Sequence, residues 1–275
     1  MITLSYTQSL PNRMFQYAFG RILAERFGYR LKAHPLSLFP GSRQCVSGEE
    51  VFSPKVHWFG NWPIGEEFRP VTGEELYTPP VARLCLRGAF QRFELFAESR
   101  DSIREDWFRI DAGPLRPSSD FAISLDAPVN PKEGAQPLTA HVTDPKAAAG
   151  LLRDSFLTAE EVRRLAKSVP HKNLFIVVGC LVPAWVKTDL EDLRPTFVSA
   201  GEYGNFLFLL RFQKLGIGQS AAHWWAAFLS QAREIYFPPC DRGCWLHPAP
   251  PLLAHEPAYH GIDLRVDEPR FVYSW

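Results

Sequence analysis

Apolar and polar positions alternate along this chain with two periods, and the periods take turns. Ile2 to Tyr6 is a short apolar run of strand length. Beyond it, Met14, Phe15, Ala18, Phe19, Ile22, Leu23 and Phe27 recur at i, i+4 spacing, which predicts a helix over 12–27 with one buried face. Asn12 is placed to cap that helix and Gly28 to stop it. Strand signals follow at 29–33, 81–86 and 121–125, with a turn at 88–91 and a helical pattern over 93–108. Residues 35–80 are rich in Pro, Gly and aromatics and resist assignment. The second half predicts helices at 159–168, 183–190, 204–212 and 220–231 between strands at 174–178, 215–218 and 234–237. Strands alternating with helices imply parallel sheets built from βαβ units.

A polar, Pro-rich stretch at 127–145 divides this alternation, giving expected domains at 1–126 and 146–275 with a linker between them. A chain of 275 residues is long enough for one large or two small cores. The net charge of zero removes a broad electrostatic argument for nucleic acid or an anionic membrane. No apolar run reaches the roughly 20 residues of a spanning helix, and no secretion-signal pattern opens the chain. Five cysteines do not suggest a disulfide scaffold, so a reduced, cytoplasmic protein is expected.

Candidate chemistry gathers where strands hand over to helices. Asn12, Arg13 and Gln16 sit at the first such junction, where free N–H groups form a natural anion site. They either contact a nucleotide diphosphate or serve as a cap, a solvated cation and a turn fastener. Gln219, Ser220 and His223 occupy a second junction. His223 either takes a proton from a hydroxyl or packs beside Trp224 and Trp225 with a ring nitrogen bonded. Ser220 either donates to phosphate or caps its helix. Trp224 and Trp225 read as core, and Asp189 and Asp192 as a solvated helix end. Trp58, Phe59 and Trp62 either stack on a sugar or fill space. Cys240, Cys244 and His247 supply only three ligands at a spacing unlike a finger or ribbon, so no metal and no cofactor is expected.

Three segments resemble the alpha-1,2-fucosyltransferases, glycosyltransferase family 11. Leu10 to Gly20 is similar to the family's opening Gly-Leu-Gly-Asn-Gln-Met-Phe-Gln-Tyr-Ala through Asn12, Met14, Phe15, Gln16, Tyr17 and Ala18. Ser9 and Pro11 replace its glycines, and Arg13 its first glutamine. Leu86 to Phe96 is similar to its Gly-Tyr-Phe-Gln-Ser-Glu-Lys-Tyr-Phe through Gly88, Phe90, Gln91 and Phe96. Leu215 to Leu229 is similar to its Ser-Trp-Trp-Ala-Ala region through Ser220, Trp224, Trp225, Ala226, Ala227 and Leu229. The family's His-x-Arg-Arg-x-Asp-Tyr is absent. The corresponding strand continues as Ser124-Leu125-Asp126, an acid where an arginine would clamp diphosphate. Val178-Gly179-Cys180 likewise replaces a Ser-Asp-Asp.

The resemblance implies an α/β protein with two Rossmann-like domains facing a central cleft, a GT-B-like glycosyltransferase fold. The N-terminal half would take the acceptor and the C-terminal half the nucleotide sugar. It implies a bacterial transferase moving a sugar, by default fucose from a GDP-sugar, onto a glycan or lipid-linked oligosaccharide hydroxyl, with inversion and without metal. Nucleotide contacts would come from Asn12, Arg13, Gln16, Gln219 and Ser220, acceptor contacts from Gln91 and Arg92, and the base from His223. Arg87 and Arg92 are further cations for the leaving phosphate. The departures leave a second reading open, a non-catalytic glycan-binding or assembly partner on the same fold.

Overall fold

A computed structural model describes residues 1–4, 6, 10–43, 55–59, 68–70, 83–87, 90–91, 93–125, 159–179, 184–218, 221–236, 246–247, 262–263 and 270–272. The chain forms two units, the first from Met1–Asp111 and Trp245–Val266, the second from Ala112–Cys244 and Asp267–Trp275.

In the first unit β1 (Ile2–Leu4), β2 (Leu31–Lys32), β3 (Lys55–Phe59), β4 (Phe68–Pro70) and β5 (Arg83–Arg87) form one sheet in the order β2-β1-β5-β3-β4. Every pairing in it is parallel. Helix α1 (Leu10–Phe27) makes the crossover from β1 to β2. Its apolar positions, Met14, Phe15, Ala18, Phe19, Ile22 and Leu23, are all buried. It starts two residues earlier than the sequence predicts, because Pro11 presets φ for a first turn where its missing N–H costs nothing. Asn12 therefore lies inside the first turn and is not the cap. Gly28 ends the helix with φ of 68°, a conformation open to glycine at no steric cost.

A buried arginine binds α1 to its surroundings. Arg21 donates to Glu25 at 2.7 Å and to the Gly41 carbonyl at 3.0 Å, and its guanidinium lies 4.5 Å from the Trp107 ring centre. The stretch 93–108, predicted as one helix, is a chain of short turns: 3-10 at Phe93–Leu95 and Ala97–Ser99, α at Arg100–Ser102, π at Ile103–Trp107. Backbone approach explains the break. A Cβ on Gly41 would lie 2.0 Å from the Asp106 carbonyl oxygen, so this chain segment passes directly against that residue. The π turn closes with Phe108 N–H donating to the Ile103 carbonyl at 2.9 Å. The predicted apolar side survives, since Phe93, Phe96, Ile103 and Trp107 are buried.

The second unit contains β6 (Asp120–Leu125), β7 (Asn173–Val178), β8 (Thr196–Val198), β9 (Lys214–Ile217) and β10 (Glu234–Tyr236). Its helices are α2 (Ala159–Ser168), α3 (Ala184–Asp189), α4 (Gly201–Leu209) and α5 (Ala221–Leu229). Between β10 and the last strand, β11 (Leu246–His247) and β12 (Ile262–Asp263) form an antiparallel pair in the first unit. The chain then returns as β13 (Phe271–Val272), and the second sheet runs β13-β10-β9-β6-β7-β8, parallel throughout. Numbered by appearance, that order is 3-2-1-4-5-6, the doubly wound arrangement of dinucleotide-binding folds. The α/β class with two Rossmann-like parallel sheets thus holds.

All six residues of β6 are buried, as a strand covered on both faces must be. Phe121, Ile123 and Leu125 pack with Leu174, Ile176, Val162, Leu165 and Ala166 on the α2 side. On the other face Phe175 meets Phe208 and Phe212 at 5.8 and 5.4 Å. β6 lies just before the expected boundary at 126 and belongs to the second sheet. It is flanked by β7 and β9, and the first continuous stretch of the first unit ends at Asp111. The expected linker, 127–145, lies outside the described residues.

Candidate functional site

In an open parallel sheet, ligands bind beyond the carboxyl ends of the strands where the winding direction reverses. Each unit has one such point, between β1 and β5 in the first and between β6 and β9 in the second.

At the first, two amides of α1 grip the chain leaving β5. Gln16 is fully buried and its Nε2 donates to the Leu86 carbonyl at 2.8 Å. One turn earlier, Asn12 Oδ1 accepts from Gln91 Nε2 at 2.8 Å. Both ends of segment 86–91 are therefore fastened to the same helix face. Between them Phe90 holds φ of 52°, a left-handed conformation that costs a non-glycine residue about 1–3 kcal/mol. Its buried ring stacks on Phe19 at 4.8 Å, which offsets that strain. Strain held by packing and hydrogen bonds fixes the backbone at Phe90 before any ligand arrives.

Arg13 is the exposed side chain of this first turn, beside buried Pro11, Asn12 and Met14. Tyr6, just past β1, donates to the His34 carbonyl at 2.9 Å. Burial pushes its phenol well above the ordinary tyrosine range, Tyr17 adds to the rise, and the Arg13 cation opposes it. Arg13 is thus electrostatically coupled to the end of β1. The structure brings Asn12, Gln16 and Gln91 together. Arg92 lies outside the described residues, as does the side chain of Arg87.

At the second reversal the ends of β6 and β9 are stitched by Gly218 N–H donating to the Ser124 carbonyl at 3.1 Å. Helix α5 opens three residues later with His223 buried in its first turn. Trp224 and Trp225 are wholly buried, their rings edge-on at 4.9 Å, with Trp224 stacked on Phe228 at 4.9 Å and 8°. They are core, as the sequence predicts. Gln219 and Ser220 lie outside the described residues.

Asn205 was missed by the sequence reading. It is buried in α4, and its Nδ2 donates to the Val178 carbonyl at 2.7 Å, at the carboxyl end of β7. Its Oδ1 accepts from Ala200 N–H at 2.9 Å, fastening the chain before α4. The available signal was a single amide inside an otherwise apolar helical run. Among the described residues no group of His, Cys, Asp or Glu is placed to hold a metal ion. Cys240 and Cys244 lie outside them. No helix among the described residues is long and apolar enough to cross a membrane.

No protein-family model matches the chain, and no curated protein matches it in sequence. Among solved structures, the chain is similar to a mutant FUT1 from Arabidopsis thaliana in complex with GDP. That likeness has 10% identity and a TM-score of 0.49, and covers 88% of this chain and 71% of that one. A likeness at this level assigns neither activity nor ligand.

Proposed function

We propose that this chain is a nucleotide-sugar-dependent glycosyltransferase of fucosyltransferase type, with a GDP-sugar as donor and a glycan hydroxyl as acceptor. One observation carries the reading. The three segments that resemble the fucosyltransferases in sequence all fall at the two chain reversals. The first opens α1 beside β1, the second follows β5, and the third runs from β9 into α5. The first two are joined by the Asn12–Gln91 bond across 79 residues of sequence. Similarity arising by chance has no reason to select the places where such sheets bind ligands.

In this reading the second unit takes the nucleotide. Gln219, Ser220 and the N–H groups opening α5 take the diphosphate, and the helix dipole favours the charge it gains on leaving. Gln91 and Arg92 take the acceptor and Arg13 meets phosphate charge, while Asn12 and Gln16 shape the chain after β5. The acceptor oxygen attacks the anomeric carbon, the bond from that carbon to the diphosphate oxygen breaks, and the configuration inverts. The hydroxyl proton passes to His223, whose imidazole nitrogen can accept it. No metal enters this scheme.

A second reading, a non-catalytic glycan-binding or assembly partner, is favoured by the residue after β6. That strand runs directly into Asp126, where the resembled family carries arginine. Calorimetry with GDP, UDP and their sugars, followed by a nucleotide-release assay with glycan acceptors, separates the two. Absence of binding by every nucleotide at millimolar concentration ends the first reading. Binding without turnover selects the second.

A further inference from the structure

The C-terminal end of α5 is held by a residue far away in sequence. Helix α5 carries no basic residue in its last turn, yet its final carbonyls need donors. Ser230 N–H donates to the Ala226 and Ala227 carbonyls, and Arg270 takes the next ones: Nη2 donates to the Phe228 carbonyl at 2.9 Å and Nη1 to the carbonyl of Ser230, just past the helix, at 3.0 Å. Arg270 is itself fixed, because its own carbonyl accepts from Ile235 N–H at 2.8 Å as the chain enters β13. Phe228 and Ser230 are buried, so water does not replace the guanidinium there.

This clamp matters because of what α5 lacks. His223 through Phe228 are buried without a break, and apart from the histidine the helix is apolar on every side. Apolar burial is non-directional and sets the axial position and rotation of such a helix only loosely. Directional bonds at its ends set them sharply. From the Phe228 carbonyl the path to the other end is short. The Phe228 ring stacks on Trp224, the residue after His223, and meets Trp225 edge-on at 5.7 Å. We infer that Arg270 is a positioning residue that acts through α5 on His223 and on the first turn of that helix. The consequence for nucleotide binding rests on the function proposed above; the consequence for His223 does not.

The test compares wild type with Arg270→Ala, Arg270→Gln and Arg270→Lys in the full chain. The control is Arg211→Ala, which removes an arginine from the Pro114 carbonyl elsewhere in the same unit. Two quantities are read at a temperature where each variant is folded: the His223 ring resonances by NMR, and the dissociation constant for GDP by calorimetry. Arg270→Ala should move or broaden the His223 signals and raise the constant about tenfold. Arg270→Lys should restore both most of the way, and Arg211→Ala should leave both alone. Where Arg270→Ala does not fold, the Gln and Lys variants carry the same readouts, with Gln the worse. Unmoved His223 resonances in Arg270→Ala or Arg270→Gln, with only a lower melting temperature, overturn the inference. If wild type binds no GDP, the proposed function fails alone and the histidine spectrum still decides this one.

Discussion

Asn12→Ala and Gln91→Ala, made singly and together, test whether α1 holds the chain leaving β5. The bond between them is 2.8 Å long, and its residues are 7% and 9% exposed, so water does not readily replace either partner. A neutral amide bond of this kind contributes about 0.5–1.5 kcal/mol net, while stranding one buried partner costs about 1–3 kcal/mol. Each single substitution should therefore cost about 1–3 kcal/mol. The double should cost less than the sum by about 1 kcal/mol, because neither amide is then stranded. Phe90 works against the clamp. Relief of its left-handed strain enters each single and the double once, so it lowers the measured coupling. Repeating the cycle on a Phe90→Gly background removes that contribution. Two units make global unfolding a poor readout, so protection should be measured by hydrogen exchange on peptides from each. Peptides of α1 and β5 should lose protection while those of β9 and α5 do not. Coupling under about 0.3 kcal/mol, or equal loss in both units, refutes the clamp.

Other outcomes follow from the same structure. His223→Gln should lower nucleotide-sugar turnover on the order of 100-fold or more, the usual share of a general base, while GDP affinity measured by calorimetry stays near wild type. Gly41→Ala should destabilise the first unit by about 2 kcal/mol or more, since the new methyl meets backbone oxygen at 2.0 Å; exchange protection of the 93–108 peptides checks it. Asp120→Ala strands Arg116, which bonds it at 2.9 Å, and Asn173, which bonds it at 2.8 Å, and should cost the second unit about 2–4 kcal/mol in exchange protection. The Tyr6 phenol is raised above its unfolded value of about 10. The folded state therefore keeps that proton longer, so the contribution is complete below about pH 10 and is lost as pH rises beyond it. Tyr6→Phe should shrink the alkaline loss of protection in the first unit, and an unchanged profile would remove Tyr6 from that role.

The sequence revealed what depends on local pattern. The i, i+4 run from Met14 to Leu23 marked α1 correctly, and the apolar runs at 121–125 and 174–178 marked β6 and β7. Ends shifted where a residue outside the pattern decided them: Pro11 began α1 early, and α4 starts at Gly201, not at 204. What stayed hidden depends on partners distant in sequence. Three-residue β8 and two-residue β13 carry too few positions to show a period, and only their neighbours make them strands. A Pro-rich stretch is a local sign, whereas the membership of β6 is fixed by pairing with β7 and β9. Of the candidate site, Asn12, Gln16, Gln91 and His223 were visible as residues. Their roles were less so, since the Asn12–Gln91 bond links positions that no window of sequence contains. Asn205 and Arg270 act on backbone carbonyls, which leave no residue-type signature at the receiving end.

The route of the chain through its units has a cost during biosynthesis. The first continuous run, 1–111, leaves the ribosome without β11 and β12, and the second, 112–244, without its outermost strand. Until 271–272 emerge, β10 presents an open row of backbone donors and acceptors to any other nascent chain. Translation speed between 244 and 272, and chaperone cover for that open edge, should therefore govern the yield of native protein.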